Sequence, residues 1–301
     1  MTSTPSRVRS TDGVDLAVFE SGDPRSPTIV AIHGYPDNHH VWDGVVALLA
    51  QRYHVITYDV RGAGESDQPS GRAAYRMARL TDDFISVLDA VSPDEPVHLL
   101  AHDWGSIQSW PALADPRVAG RVASFTSISG PSLDHAGAWM RNARHHPRAT
   151  AGQLGHSFYI FLFQLPVLPE AAARNGLIQR GIARLAARAG GTSAADETRE
   201  THDAVNGIQL YRANMLPRIG RPRPERIDIP VQVLAPDADP HVGVVLQTEA
   251  PKPYVANLRT RVISGGHWVV AQQPDVIVGC VDEFLESIGA VTPTRSKRGR
   301  S

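Results

Sequence analysis

The stretch Val97-His98-Leu99-Leu100-Ala101-His102-Asp103-Trp104-Gly105 constrains this chain more than any other. A short apolar run reads as a buried strand, and Ser106-Ile107-Gln108-Ser109-Trp110 reads as the start of a helix. Between them lies a tight turn with small residues, Ala101 and Gly105, two positions either side of Asp103. Such a strand–turn–helix unit is the setting of a nucleophile elbow, although the usual form has Gly where this chain has Ala101. The central residue is an aspartate rather than a serine. A carboxylate is a poor acyl acceptor but a good displacement nucleophile at saturated carbon, where it leaves an alkyl-enzyme ester. The bond to be broken is therefore expected to be C–O of an epoxide or C–halogen, not an ester or amide.

The rest of the pattern supplies a sheet for that unit. Residues 7–20 alternate around Asp12-Gly13, a hairpin signal. Thr28–Ile32, His54–Tyr58, Val97–Leu100, Ala123–Ile128, Val231–Ala235 and Thr260–Ile263 are short strand-like runs. Helical spacing is read over Val41–Gln51, over Thr81–Val91 with Thr81, Asp82 and Asp83 at its N-terminus, and over Asp275–Ile288 after Pro274. Strands alternating with helices imply an α/β fold with a mostly parallel central sheet covered on both faces. The rhythm breaks from about residue 131 to 230, which holds no convincing strand and is rich in Ala, Arg and His, with Ala171–Gly190 read as helix. An inserted helical lid over residues 131–229 is expected, between core portions 1–130 and 230–291, with 292–301 a disordered basic tail.

Composition removes several alternatives. A formal net charge of −1 leaves no basic stripe for nucleic acid. The single cysteine, Cys280, allows no intrachain disulfide, fits a cytoplasmic location, and is expected to be buried in an apolar helix. No signal-like start is seen, and no run approaches the roughly 18–20 apolar residues a transmembrane helix needs. The pairs His39-His40 and His145-His146 are read as solvated loop residues, since adjacent histidines seldom face one metal ion. No metal or organic cofactor is expected.

Three further segments follow strands and suit one site. His33-Gly34-Tyr35-Pro36 could turn a backbone N–H toward an oxyanion, Asp237 and Asp239 share one loop, and His267 lies in Gly265-Gly266-His267-Trp268. Nucleophile, acid, histidine is the chain order of α/β-hydrolase triads. Taken in order, His33–Pro36, Asp59–Ser66, His102–Gly105 and Gly266–Trp268 make the chain similar, over nearly its whole length, to α/β-hydrolases of the epoxide hydrolase family. It most resembles the hydrolase half of bacterial proteins that fuse such a domain to a short-chain dehydrogenase, with no dehydrogenase half expected in these 301 residues.

The resemblance implies roles residue by residue. Asp103 is the nucleophile, His267 the base, and Asp239 rather than Asp237 the acid that orients it. The backbone N–H groups of Tyr35 and Trp104 form the oxyanion hole. Two lid tyrosines of the family, which hydrogen-bond the epoxide oxygen, match Tyr159 in Tyr159-Ile160-Phe161-Leu162-Phe163-Gln164-Leu165-Pro166 and Tyr211 in Tyr211-Arg212-Ala213-Asn214. His33, Pro36, Phe163 and Trp268 are expected to bind substrate. Asp103 as a mere turn residue, His267 as a loop histidine and the tyrosines as lid core are the plainer readings. A haloalkane or haloacid dehalogenase with the same Asp, and a non-catalytic binding protein, stay open as rivals. Phe158, Phe161, Leu162, Phe163 and Val167 suggest an apolar pocket, so the expected partners are a small apolar epoxide and water, with a homodimer also allowed.

Overall fold

The structure is a computed structural model that describes residues 5–188 and 198–290. Eight strands form one sheet: β1 (Ser6–Arg9), β2 (Asp15–Ser21), β3 (Thr28–Ile32), β4 (His54–Tyr58), β5 (Val97–His102), β6 (Val122–Ile128), β7 (Val231–Pro236) and β8 (Leu258–Ile263), ordered β1-β2-β4-β3-β5-β6-β7-β8. The hairpin read around Asp12-Gly13 is present, with Gly13 at φ +87°. The β1–β2 and β2–β4 pairs are antiparallel and the other five pairs are parallel. β4 and β5 are buried at every position, as strands covered on both faces must be. Cys280 is buried in the closing helix, Pro274–Ser287.

Helices α1 (Asp43–Leu49), α2 (Met77–Val91) and α3 (Trp104–Leu113) alternate with the strands. Between β6 and β7 the described residues form helices and a single isolated bridge at Ile227: α4 (Leu133–Arg141), α5 (Pro147–His156), α6 (Tyr159–Phe163), α7 (Leu168–Arg174), α8 (Leu177–Arg188) and α9 (Thr201–Gly220). After β7 come α10 (Val244–Glu249), α11 (Val269–Gln272) and α12 (Pro274–Ser287).

Three readings are corrected. The helix read as starting at Thr81 begins at Met77, so Asp83 is buried mid-helix. There it takes a two-pronged ion pair from Arg61, at 2.6 and 2.5 Å, instead of capping anything. The helix read over 171–190 is two, broken at Gly176, whose φ of +69° no helix interior adopts; its last two residues, like the tail 292–301, lie outside the described residues. His39 is not solvated: it is buried, with its backbone N–H and Nδ1 on Asp59 Oδ1 at 2.8 and 2.9 Å. Asp59 also accepts from Glu65 N–H, and a Cβ at Gly64 would collide with its carboxylate. The loop 59–66 is thus architectural, folded around one buried acid.

Candidate active site

The site gathers at the C-terminal ends of β3, β5, β7 and β8, where open α/β sheets collect their ligands. Asp103 follows β5 at φ +48°, ψ −121°, a conformation an L-residue holds only when its surroundings enforce it. The surroundings are close backbone. A Cβ at Gly105 would strike the carbonyls of Ile32 and His33, and one at Gly130 the carbonyl of Asp103. Asp103 N–H donates to Ile128 O at 3.0 Å, tying the apex to β6.

Around this apex the three separated segments meet. His267 Nε2 stands 3.5 Å from Asp103 Oδ2, and its Nδ1 lies 3.0 Å from Asp239 Oδ2. The other oxygen of Asp239 accepts the N–H groups of His241 and Val242 at 2.8 and 3.1 Å, so the acid cannot swing away. Asp237 is exposed and accepts from Gly265 N–H at 3.1 Å, a loop-closing role. Tyr35 N–H donates to Asp103 Oδ1 at 2.7 Å. The N–H of Trp104 opens α3 beside it, and a side chain at Gly34 would strike both that nitrogen and the Asp103 carboxylate.

Burial opposes charge at all three triad groups, yet the mutual pairing wins. Burial raises Asp103 and Asp239, but both end below the ordinary carboxylate value because His267 sits between them. Burial likewise lowers His267, but the Asp239 charge and the hydrogen bonds to Asp103 and Asp239 push it up to about 10. With its folded value above the ordinary 6.5, His267 contributes stability that is complete below pH 6.5 and lost as pH rises through about 10. The urea midpoint should therefore fall across that window in the native chain and much less in His267→Gln. Equal falls in both would remove the charged imidazolium from the account.

A cavity of about 180 Å³ lies above the Asp–His pair. Tyr35, Tyr159, Phe163, Tyr211, His241 and Trp268 line it, with Leu177, Ile178 and Leu185 of α8 closing the far side. The rings of Tyr159 and Tyr211 meet edge to face at 5.9 Å, and Phe163 packs on both. Arg212 explains why the tyrosine before it is placed so firmly. From α9 its guanidinium reaches Phe163 O at 2.8 Å, Leu165 O and Glu170, clamping α6 to α9.

Other placements depart from expectation. His33 does not reach the cavity: Nδ1–H donates to Gly34 O and Nε2 accepts from Val60 N–H, both at 2.9 Å, so its ring is spent on backbone. Pro36 also lies outside the cavity lining. Trp268 does line it, with Nε1 on Asp37 Oδ2 at 3.0 Å. Phe158, Phe161, Leu162 and Val167 point outward, and of that aromatic stretch only Tyr159 and Phe163 face the cavity.

Two residues went unread in the sequence. His241 packs between Tyr159 and His267, with centroids 5.3 and 4.9 Å away. Burial and the neighbouring His267 lower it to about 4, which keeps it neutral. His102 donates from Nε2 to His267 O at 2.8 Å, holding the histidine loop, and burial lowers it to about 4. Adjacency to Asp239 and Asp103 was the only signal for either.

A family profile described as alpha/beta hydrolase fold matches residues 27–274. Among curated relatives, the "Probable oxidoreductase EphD" of Mycobacterium tuberculosis is 36% identical over 304 residues, covering 96% of this chain and 50% of that protein. "Epoxide hydrolase A" of the same organism is 36% identical over 167 residues, 55% of this chain and 49% of that one. This chain thus spans about half the length of the curated relatives it matches. A mutant epoxide hydrolase from Bacillus megaterium, solved with its product (R)-3-[1]naphthyloxy-propane-1,2-diol, superimposes with a TM-score of 0.78. That match is 21% identical and covers 93% of this chain and 100% of the other, a likeness of fold. The profile, the sheet order and the Asp–His–Asp geometry at its strand ends converge: the chain belongs to the α/β-hydrolase fold family.

Proposed function

We propose that this chain hydrolyses epoxides to vicinal diols through a covalent ester on Asp103. The observation that carries the reading is the pair of tyrosines, Tyr211 buried and Tyr159 partly buried, roofing the same cavity whose floor is Asp103. Burial, helped by the nearby Asp103 charge, holds both phenols above their ordinary value of 10.0, so they stay protonated donors.

In the first step Asp103 Oδ2 attacks an epoxide carbon, because Oδ1 is already held by Tyr35 N–H. The C–O bond breaks and the alkoxide takes a proton from a tyrosine, which regains one from solvent. Esterification removes the Asp103 charge that helped raise His267, so the imidazole gives up its proton and becomes a base. In the second step His267, oriented by Asp239, deprotonates water that adds to Cγ of Asp103. The oxyanion develops on Oδ1, where Tyr35 N–H waits and Trp104 N–H lies alongside. Collapse expels the diol alkoxide, which takes a proton from His267, and the Asp103 carboxyl left behind passes its proton to the imidazole, restoring the starting carboxylate–imidazolium pair. The residues 131–229 serve in this reading as a lid on a core of 1–130 and 230–291. The reducing cytoplasm suits the single buried Cys280.

Dehalogenation fits less well. It needs N–H donors for the halide in the cavity, yet Trp104 is not part of the lining and the Tyr35 hydroxyl is spent on Ala204 O at 3.1 Å. A panel of aliphatic, aryl and fatty-acid epoxides, with diol detection beside halide release from haloalkanes, tests the reading; halide release without diol would overturn it. Tyr159→Phe and Tyr211→Phe should each slow ester formation by about 10²-fold, the usual cost of losing one such donor. Stopped-flow tryptophan fluorescence in single turnover reads that step, and unchanged rates in both variants would dismiss the tyrosines as lid packing.

A further inference from the structure

Eight of the twelve exposed large apolar side chains among the described residues fall between Leu154 and Leu177. Phe158, Phe161, Leu162, Val167 and Leu168 are all about half exposed or more, Val167 reaching 72%. Scattered exposed leucines are ordinary; a concentrated aromatic and aliphatic surface marks an interface. Val167 also holds a left-handed φ of +64°, unusual for a β-branched residue, with its side chain in solvent.

The same segment of the chain is basic. Residues 148–188 contain five arginines and one acidic residue, Glu170, which is paired with Arg212 of α9. Arg174, Arg180 and Arg184 are exposed and make no ion pair with a carboxylate among the described residues. On α8, Leu177, Arg180 and Arg184 follow helical spacing along one exposed stripe, while Ile182 on the other side is buried. The wider helical insertion, 131–229, has thirteen arginines against eight acidic residues, a net +5 in a chain whose total is −1. Leu177 is both exposed and part of the cavity wall, so the cavity rim opens onto this apolar, basic face.

We propose that the outer face of α6–α8 docks on the surface of an anionic lipid bilayer. Aromatic and leucine side chains enter the headgroup boundary while the arginines pair with lipid phosphates. The charge asymmetry turns this face, rather than the acidic remainder, toward the membrane. Docking does not require a spanning segment, and none of the described helices is long and apolar enough to be one. A second copy of the chain is the poorer occupant. A two-fold interface on this face would bring Arg174, Arg180 and Arg184 of both copies together. The docking stands independently of which bond the site breaks.

The test is co-sedimentation of the full chain with vesicles of phosphatidylcholine alone or with about one-third phosphatidylglycerol. Binding is expected to the anionic vesicles, weakening as salt rises. Arg174→Glu/Arg180→Glu/Arg184→Glu should lower the partition coefficient by about 10²-fold or more, from ~1 kcal/mol per basic residue. Phe158→Ser/Phe161→Ser/Leu162→Ser should lower it by about tenfold or more. Near-UV circular dichroism and turnover in free solution should be unchanged in both variants, which separates lost docking from lost folding. No binding to anionic vesicles would overturn the proposal. So would binding that survives both triple variants, which would assign it to the basic residues 295–300, and so would a dimer in sedimentation velocity that only the Phe158 variant dissolves.

Discussion

Asp103→Asn should lower turnover by a factor on the order of 10⁴–10⁶, the usual cost of removing a nucleophile, without unfolding the chain. Asn is isosteric, keeps the acceptor that takes Tyr35 N–H at 2.7 Å, and can hold the same backbone twist at φ +48°. What it loses is the negative charge that attacks carbon. It also loses the partner that helps hold His267 at about 10, so the variant's histidine should titrate lower, which NMR of the imidazole reads directly. Asp103→Ala adds a second arm: it cannot regenerate a carboxylate by deamidation, so activity that creeps back in the Asn variant and never in the Ala variant still supports the nucleophile. A purified Asp103→Ala chain of full activity would end the covalent mechanism. Losing the charged pair also changes stability, since both variants leave His267 facing only Asp239 across the buried site.

What could be read in the sequence and what could not divide along sequence distance. The strands and the elbow are local patterns: β4 and β5 are short, mostly apolar runs buried at every position, and Gly105 sits where backbone from β3 presses on the turn. The order of Asp103, Asp239 and His267 survives because a parallel sheet gathers residues from strand ends, whatever lies between. Failures arose where a distant partner decided the outcome. Thr81-Asp82-Asp83 has the composition of a helix start, but Arg61 claims Asp83 and the helix begins a turn earlier. His39 looks like a loop histidine until Asp59 is placed beneath it. His33 follows a strand in a suggestive motif, yet its two nitrogens are consumed by Gly34 and Val60. On α6 the period puts Tyr159 and Phe163 on one side as i and i+4 neighbours, but it could not tell that this side faces in, which is decided by α9 bringing Tyr211 against both. The outward set, Phe158, Phe161 and Leu162, is the remainder.

His267→Gln should still form the ester and fail to release it. Gln has no basic nitrogen to deprotonate water, but attack by Asp103 needs only a free Oδ2 and the donors Tyr159 and Tyr211. Intact-mass spectrometry after exposure to a small epoxide should therefore find one adduct with the mass of the whole epoxide, and peptide mapping should place it on Asp103. The site's electrostatics add a constraint: without His267 the two carboxylates lose the cation that keeps both below the ordinary range, so alkylation in the variant should need a higher pH than in the native chain. The sign follows from removing a stabilising positive neighbour, which raises a carboxylate's pKa. A single turnover of the native chain in heavy-oxygen water is the complementary measurement. Water adds to Cγ of Asp103, so the label should appear in the protein carboxylate and the first diol should carry unlabelled enzyme oxygen. Label found directly in that diol, together with no adduct in His267→Gln, would mean that the histidine drives water onto the epoxide itself. Asp103 would then be a charged bystander held 3.5 Å from the base.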